Sequence, residues 1–199
     1  MHKFFETIRI EDGKVHNIEW HQKRYERTIK HFEGTNHRDL ASLIEPPDSK
    51  GLFRCKLAYT PQEIIDISYF PYKKRSISSL RLMQADEINY SYKYLDRNDL
   101  DALFAMRGDC DEVLVIKNGY ITDTTIANVA FFDGRRWLTP TSPLLEGTAR
   151  SRYIEEERLI PADITPAMLG SFSRIALLNA MIDFDIMPIK EIQKDRIIC

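Results

Sequence analysis

From Phe4 to Ile10 the stretch "FFETIRI" alternates with the period of a half-buried strand, the turn signal "EDGK" follows, and "VHNI" resumes the strand, so the chain opens on a hairpin. From Trp20 to Phe32, "WHQKRYERTIKHF" changes to a helical period. Trp20, Arg24, Arg27 and His31 line one flank, Tyr25, Ile29 and Phe32 another, and the helix ends near Gly34. An arginine of this helix can therefore point inward. "GLFRCKLAYT" and "EIIDISYF", separated by "PQ", predict a second hairpin, and "SLRLMQ" a further strand.

The second half begins with a predicted helix from Asn98 to Met106, followed by three strand runs between Asp111 and Pro140 that break at "KNG" and "DGRR". "GTARSRYIEEERL" reads as a helix with Gly147 at its start, "PADITPAML" as a short capped helix, and "SRIALLNAM" as a strand running into a turn. No internal repeat and no low-complexity linker interrupts this order. The pattern predicts an α+β protein, either one globular unit or two small packed lobes, in the second case with the boundary near residues 75 to 90.

Composition narrows the function classes. The 28 basic and 30 acidic residues of the 199 nearly cancel, so the basic footprint of a nucleic-acid binder is missing. No apolar run reaches the roughly 18 residues of a membrane span, and no signal-like stretch opens the chain; a soluble, cytoplasmic protein is expected. The three cysteines, Cys55, Cys110 and Cys199, are an odd number without paired spacing and read as buried thiols. His16, His21, His31 and His37 lack the spacing of metal ligands, and His21 is expected to orient the helix that carries Arg24.

Lys93 is the unusual residue, lying among Tyr90, Tyr92 and Tyr94. Taken singly, Lys93 and Arg24 read as surface charges, Asp123 as a turn residue and Gly147 as an ordinary helix start. Together they are an amine, a guanidinium, a carboxylate and a set of free backbone N–H groups. A pyridoxal phosphate enzyme needs these groups: the amine for the cofactor aldehyde, the guanidinium and helix start for its phosphate, and the acid for its pyridine nitrogen.

Five blocks carry a resemblance across nearly the whole chain: "FETIRIEDGKVHNIEWHQKRYERT", "KYLDRNDLDAL", "DEVLVIKNGYITDTTIANVAFF", "WLTPTSPLLEGTAR" and "LLNAMIDFDIMPI". In that order they resemble the class IV (fold type IV) pyridoxal phosphate family, which includes 4-amino-4-deoxychorismate lyase and the branched-chain and D-amino acid aminotransferases. The resemblance implies a two-lobed α+β fold, truncated at the N-terminus, with a smaller lobe over residues 1–82 and a larger one over 83–199. The larger lobe would carry the lysine, and the cofactor would lie between the lobes. It places the Schiff-base lysine on Lys93, the phosphate arginine on Arg24 and the pyridine-nitrogen acid on Asp123, where the family usually has Glu. A second phosphate contact falls on the backbone of Gly147, Thr148 and Ala149, and a further pocket wall on Asn179 and Ala180. Thr7 and Arg9, on the same strand face as Phe5, resemble the substrate-facing strand.

Within the family, "KYLDR" and "LLNAMIDFDIMPI" look like the 4-amino-4-deoxychorismate lyase versions. That resemblance implies release of pyruvate and 4-aminobenzoate in folate biosynthesis, a homodimer, and a synthase that supplies the aminated chorismate. The two substrate carboxylates would require cations, for which Arg9, Arg54, Lys56 and Arg97 are candidates, Arg97 having a second use in tying down the lysine segment. An aminotransferase acting on a small amino acid and a non-catalytic homologue are the rival readings.

Overall fold

The computed structural model describes residues 2–199, which divide into two compact units: the chain up to Lys74 together with Tyr92–Asp96, and Arg75–Ser91 together with Arg97–Cys199.

In the first unit, strands β1 (Phe4–Glu11), β2 (Lys14–Val15), β3 (Leu52–Tyr59) and β4 (Ile64–Pro71) form an antiparallel four-stranded sheet in the order β2-β1-β3-β4. Asp12 (φ 49°) and Gly13 (φ 78°) close the first hairpin with both loop residues at positive φ, which matches the right-handed twist of the flanking strands. Strand alternation buries Phe4, Glu6, Ile8 and Ile10 on one face of β1. Helix α1 (Ile18–His31) sets Tyr25 and Ile29 in one core cluster with Phe4, Leu57, Tyr59 and Leu40 of the short α2 (Leu40–Leu43).

The lysine segment clusters with this unit and not, as the 83–199 division would have it, with the second. The upstream half of β1 is left open by the short β2, and Tyr92–Asp96 docks there. Phe5 N–H donates to the Lys93 carbonyl at 3.0 Å, Leu95 N–H to the Lys3 carbonyl at 2.8 Å, and Phe4 and Tyr94 form a bridge. Tyr92 and Tyr94 pack around Phe4 and Phe32, with ring centroids 5.1 Å apart for Phe32 and Tyr92 and 5.2 Å for Phe4 and Tyr94. Two anchored aromatics hold the segment.

The second unit contains β5 (Ser79–Gln84), α3 (Asn98–Ala105), β6 (Glu112–Lys117), β7 (Tyr120–Thr124), β8 (Asn128–Phe132), β9 (Trp137–Pro140), α4 (Thr148–Glu155), β10 (Ile160–Ala162), a 3-10 turn at Pro166–Ser171, β11 (Arg174–Asn179), β12 (Asp183–Pro188), β13 (Glu191–Gln193) and β14 (Arg196–Ile198). Its sheet runs β10-β9-β8-β7-β6-β5-β14-β13, with β11 joining β8 to β12. Leu80, Leu114, Ile121, Val129, Phe131, Ile175 and Leu177 form its main core, and Ala149 and Tyr153 of α4 pack on Ala130, Ala176 and Leu178.

Two expectations are corrected here. The run expected as one strand from Gly119 to Phe132 breaks into β7 and β8, because Thr124 Oγ1 accepts hydrogen bonds from the Ile126 and Ala127 N–H groups (3.3 and 2.9 Å) and turns the chain back. The stretch expected as one capped helix from Pro161 to Leu169 is the end of β10, where Pro161 and Ala162 pair with Thr139 and Pro140, followed by the 3-10 turn. Among the described residues no helix is long and apolar enough to cross a membrane, and no cluster of His, Cys, Asp and Glu could hold a metal ion. All three cysteines are buried and unpaired, and burial pushes the Cys55 thiol up to about 12, which keeps it an inert thiol.

Candidate active site

Each unit gathers its own set of polar side chains. In the first, the buried face of β1 would be apolar throughout but for Glu6, which is 0% exposed. Helix α1 answers it with His21 and Arg24, three residues apart and therefore on one helical face. Arg24 Nε donates to Glu6 Oε1 at 2.9 Å and Nη2 to Oε2, while His21 Nδ1 lies 2.6 Å from Oε2. Burial alone would raise the Glu6 pKa, but the Arg24 charge and the hydrogen bonds from His21 and Arg24 outweigh it and hold the carboxyl at about 2. Burial pushes His21 down against the pull of Glu6, so the imidazole is neutral at physiological pH, with its Nδ1–H directed at Glu6.

Lys93 is half-buried, with Nζ 4.6 Å from the centroid of the Phe5 ring. Because neighbouring side chains of an extended segment alternate, burying Tyr92 and Tyr94 on one side directs Lys93 to the other. Phe5 belongs to the β1 face opposite α1. There, Thr7 stands across from Lys56 and Arg9 across from Arg54 in the β1–β3 register. Lys56 Nζ lies 5.7 Å from the same Phe5 ring, Arg54 lies over Phe70, and Arg9 donates to Glu11 at 2.7 Å. This sheet face is cationic beside an amine.

In the second unit, Asp123 of β7 faces Asn128 of β8 across the Thr124–Ala127 turn. Asn128 Nδ2 donates to Asp123 Oδ1 at 2.7 Å and to the Leu145 carbonyl at 2.8 Å, and Leu145 N–H donates to Asp123 Oδ2 at 2.9 Å. Burial, only partly offset by these donors and by Arg150, raises Asp123 to about 6. A carboxylate has about four acceptor positions, so Asp123 can accept a further N–H. Gly147 caps α4, whose first N–H groups, those of Thr148 and Ala149, precede the first intrahelical bond.

Arg150 is buried along α4, donating to Thr139 Oγ1 and the Pro140 carbonyl. Asn179 Oδ1 closes the turn containing Ala180 by accepting from the Met181 and Ile182 N–H groups, and its Nδ2 reaches the Ile126 carbonyl at 3.2 Å. Arg97 donates to the Thr125 carbonyl at 2.9 Å and to the Tyr90 hydroxyl at 3.4 Å. Glu112, buried under the same turn, accepts from Thr125 Oγ1 at 2.6 Å and pairs with Arg75.

Sequence reasoning missed Glu6, Asn128, Arg150 and Glu112. Glu6 alone had a visible signal: a carboxylate at an inward position of an alternating strand must find a cation, and the helix "HQKR" supplies one.

Gly147 joins the acid to the helix start. A Cβ at this position would lie 2.0 Å from Asn128 Oδ1, although the backbone there (φ −72°) suits any residue. Gly147→Ala is therefore expected to displace the Asn128 amide and cost about 1–3 kcal/mol by overpacking, read as a lowered urea midpoint. A wild-type midpoint would show that Asn128 is free to move.

In the first unit a half-buried lysine amine and a clamped arginine suit an aldehyde and an anionic group, and in the second a buried acid and a helix start kept bare by glycine suit a basic ring nitrogen and an anion, the functional groups of pyridoxal phosphate. Comparison with known proteins agrees. A protein of Haemophilus influenzae without a characterized function is 39% identical over 186 residues, covering 91% of this chain and 98% of its own. A crystal structure from Haemophilus somnus 129PT, named as a candidate 4-amino-4-deoxychorismate lyase, matches with a TM-score of 0.83 at 33% identity over 91% of this chain and 97% of that one. A Mycobacterium tuberculosis structure, described as a hypothetical aminotransferase in its pyridoxal phosphate-bound form, shares the fold: TM-score 0.74, 17% identity, 94% of this chain and 80% of that one. The family model for amino-transferase class IV matches residues 3–192, nearly the full length that carries these groups, and the chain thus belongs to the class IV aminotransferase family, whose cofactor is pyridoxal phosphate.

Proposed function

We propose that this chain is a pyridoxal phosphate-dependent lyase that converts 4-amino-4-deoxychorismate to 4-aminobenzoate and pyruvate. The observation that carries the reading is the sheet face beside Lys93, where Arg9, Arg54 and Lys56 gather around Thr7 and Phe5, a surface suited to a substrate with two carboxylates. The likeness to the Haemophilus somnus protein supports it.

Lys93 would hold the cofactor by its aldehyde, Arg24 and the Gly147–Ala149 backbone would hold the phosphate, and Asp123 would accept the pyridine N–H. Bound pyridoxal phosphate supplies an electron sink for the pair of electrons left when a C–H bond next to the substrate nitrogen breaks. Lys93 Nζ takes the proton from ring carbon C4 of the substrate. Arg54 and Lys56 orient the carboxylates, while the Phe5 ring, which lies against both Lys56 and Lys93, excludes water on the apolar side. The same proton can be returned to the departing enolpyruvyl group, which leaves as pyruvate as the ring becomes aromatic, so the atoms balance without water.

The test is to supply 4-amino-4-deoxychorismate to the cofactor-loaded protein and follow pyruvate and 4-aminobenzoate together. Equimolar release of both, with no amino-group transfer from a panel of amino acids to 2-oxo acids, is the expected result. Amino-group transfer without pyruvate would replace the lyase by an aminotransferase. For the substrate face, Lys56→Ala is expected to raise KM by about tenfold with little change in kcat, the signature of lost uniform binding. An unchanged KM would remove Lys56 from substrate recognition.

A further inference from the structure

Arg24 does not approach its proposed anion as a loose surface cation. Its Nε and Nη2 are forked onto the two oxygens of Glu6, a residue 0% exposed, and His21 Nδ1 holds Oε2 from the other side at 2.6 Å. For anion binding alone this arrangement is a poor choice. Glu6 offsets the positive charge that would draw a phosphate, occupies two N–H donors, and costs desolvation in a face that is otherwise apolar. What Glu6 contributes is direction. A planar guanidinium fixed along one edge presents its opposite edge, Nη1 and the outer Nη2 hydrogen, in a single orientation, and little side-chain entropy remains to be lost when an anion docks there. The anchor is also shared between elements, since Glu6 comes from β1 and both partners from one face of α1.

We propose that Glu6 is a positioning residue for cofactor binding: it orients the Arg24 guanidinium toward the phosphate, and His21 keeps the Glu6 carboxylate in place. This rests on the reading of Arg24 as the phosphate anchor.

Pyridoxamine phosphate and pyridoxamine are suitable probes, because neither has an aldehyde to bond to Lys93 and they differ only by the phosphate. The ratio of their dissociation constants isolates the phosphate contribution. Glu6→Gln is expected to weaken pyridoxamine phosphate by about tenfold, the scale typical for outer partners of a bound group, and to leave pyridoxamine within about twofold. Arg24→Gln lowers the same ratio at least as far. The double variant, which replaces both charges and leaves neither unpaired, should be no weaker than Arg24→Gln alone, because Glu6 acts only through Arg24.

Three results separate the possibilities. An unaltered ratio in Arg24→Gln overturns the phosphate-anchor reading and this inference with it. A reduced ratio in Arg24→Gln beside a wild-type ratio in folded Glu6→Gln overturns the positioning role while the anchor stands. If Glu6→Gln fails to give a cooperative melt, Glu6→Asp, which keeps the charge but draws the carboxylate back by one methylene, takes its place. A several-fold loss for pyridoxamine phosphate alone then supports the role, and wild-type affinity for it refutes the role.

Discussion

On the lyase reading, Lys93→Ala is expected to fold as the wild type does and to release pyruvate about 10²–10⁴-fold more slowly, the scale of losing a positioned general base. The fold should survive because the segment is held by other groups. Its backbone is bonded to β1 through the Lys93 carbonyl, and Tyr92 and Tyr94 are packed among Phe4 and Phe32. The lysine side chain contributes a cation over the Phe5 ring, worth roughly 0.5–1 kcal/mol at a partly exposed site. Chemistry, not stability, is what the variant lacks. Lys56 makes the comparison sharp, since its amine lies 5.7 Å from the same Phe5 ring and is the obvious alternative attachment point. Borohydride reduction of the cofactor-loaded protein, followed by peptide mass mapping, should place the cofactor on Lys93 and leave Lys56 unmodified. Cofactor on the Lys56 peptide, or pyruvate release undiminished in Lys93→Ala, would exclude Lys93 as the base.

The alternation of β1 and the helical period of α1 were legible because each buries one face, and burial of one face is what periodicity records. The same alternation, extended to Tyr92 and Tyr94, directed Lys93 away from the tyrosines. The break between β7 and β8 was hidden. Its residues, Thr124 to Ala127, have strand-like character, and the turn depends on Thr124 Oγ1 capping two N–H groups while Glu112 and Arg97 hold Thr125 from afar. β13 and β14 are three residues each, with one charged residue apiece, too short to set a period. The site divides in the same way. Amines, guanidinium and acid are visible as residue types, but the Glu6–His21–Arg24 cluster is created only when β1 meets α1, across 15 and 18 residues of sequence.

Asp123 should make cofactor-free protein less stable as pH rises through the mildly acidic range. Its pKa is raised, from the usual 3.8 to about 6, chiefly by burial. The folded protein therefore holds the proton more tightly than the unfolded chain, and the stabilising contribution is complete below 3.8 and lost as pH climbs through about 6. At about 1.4 kcal/mol per pKa unit the swing is roughly 3 kcal/mol, of the order of a large single-site effect. Asp123→Asn cannot ionise, so urea unfolding of the variant between about pH 4 and pH 7.5 should lack this decline. Glu6 works in the opposite direction, its contribution being present above 4.5 and lost as pH falls toward about 2, and because wild type and variant both keep it, it cancels from the comparison. Loading wild type with pyridoxal phosphate should remove the decline as well, because an N–H donated to Asp123 favours the carboxylate and opposes its burial cost. Parallel pH profiles for wild type and variant would mean that Asp123 is not the buried titrating acid, and a decline that persists after loading would mean that Asp123 does not meet the ring nitrogen.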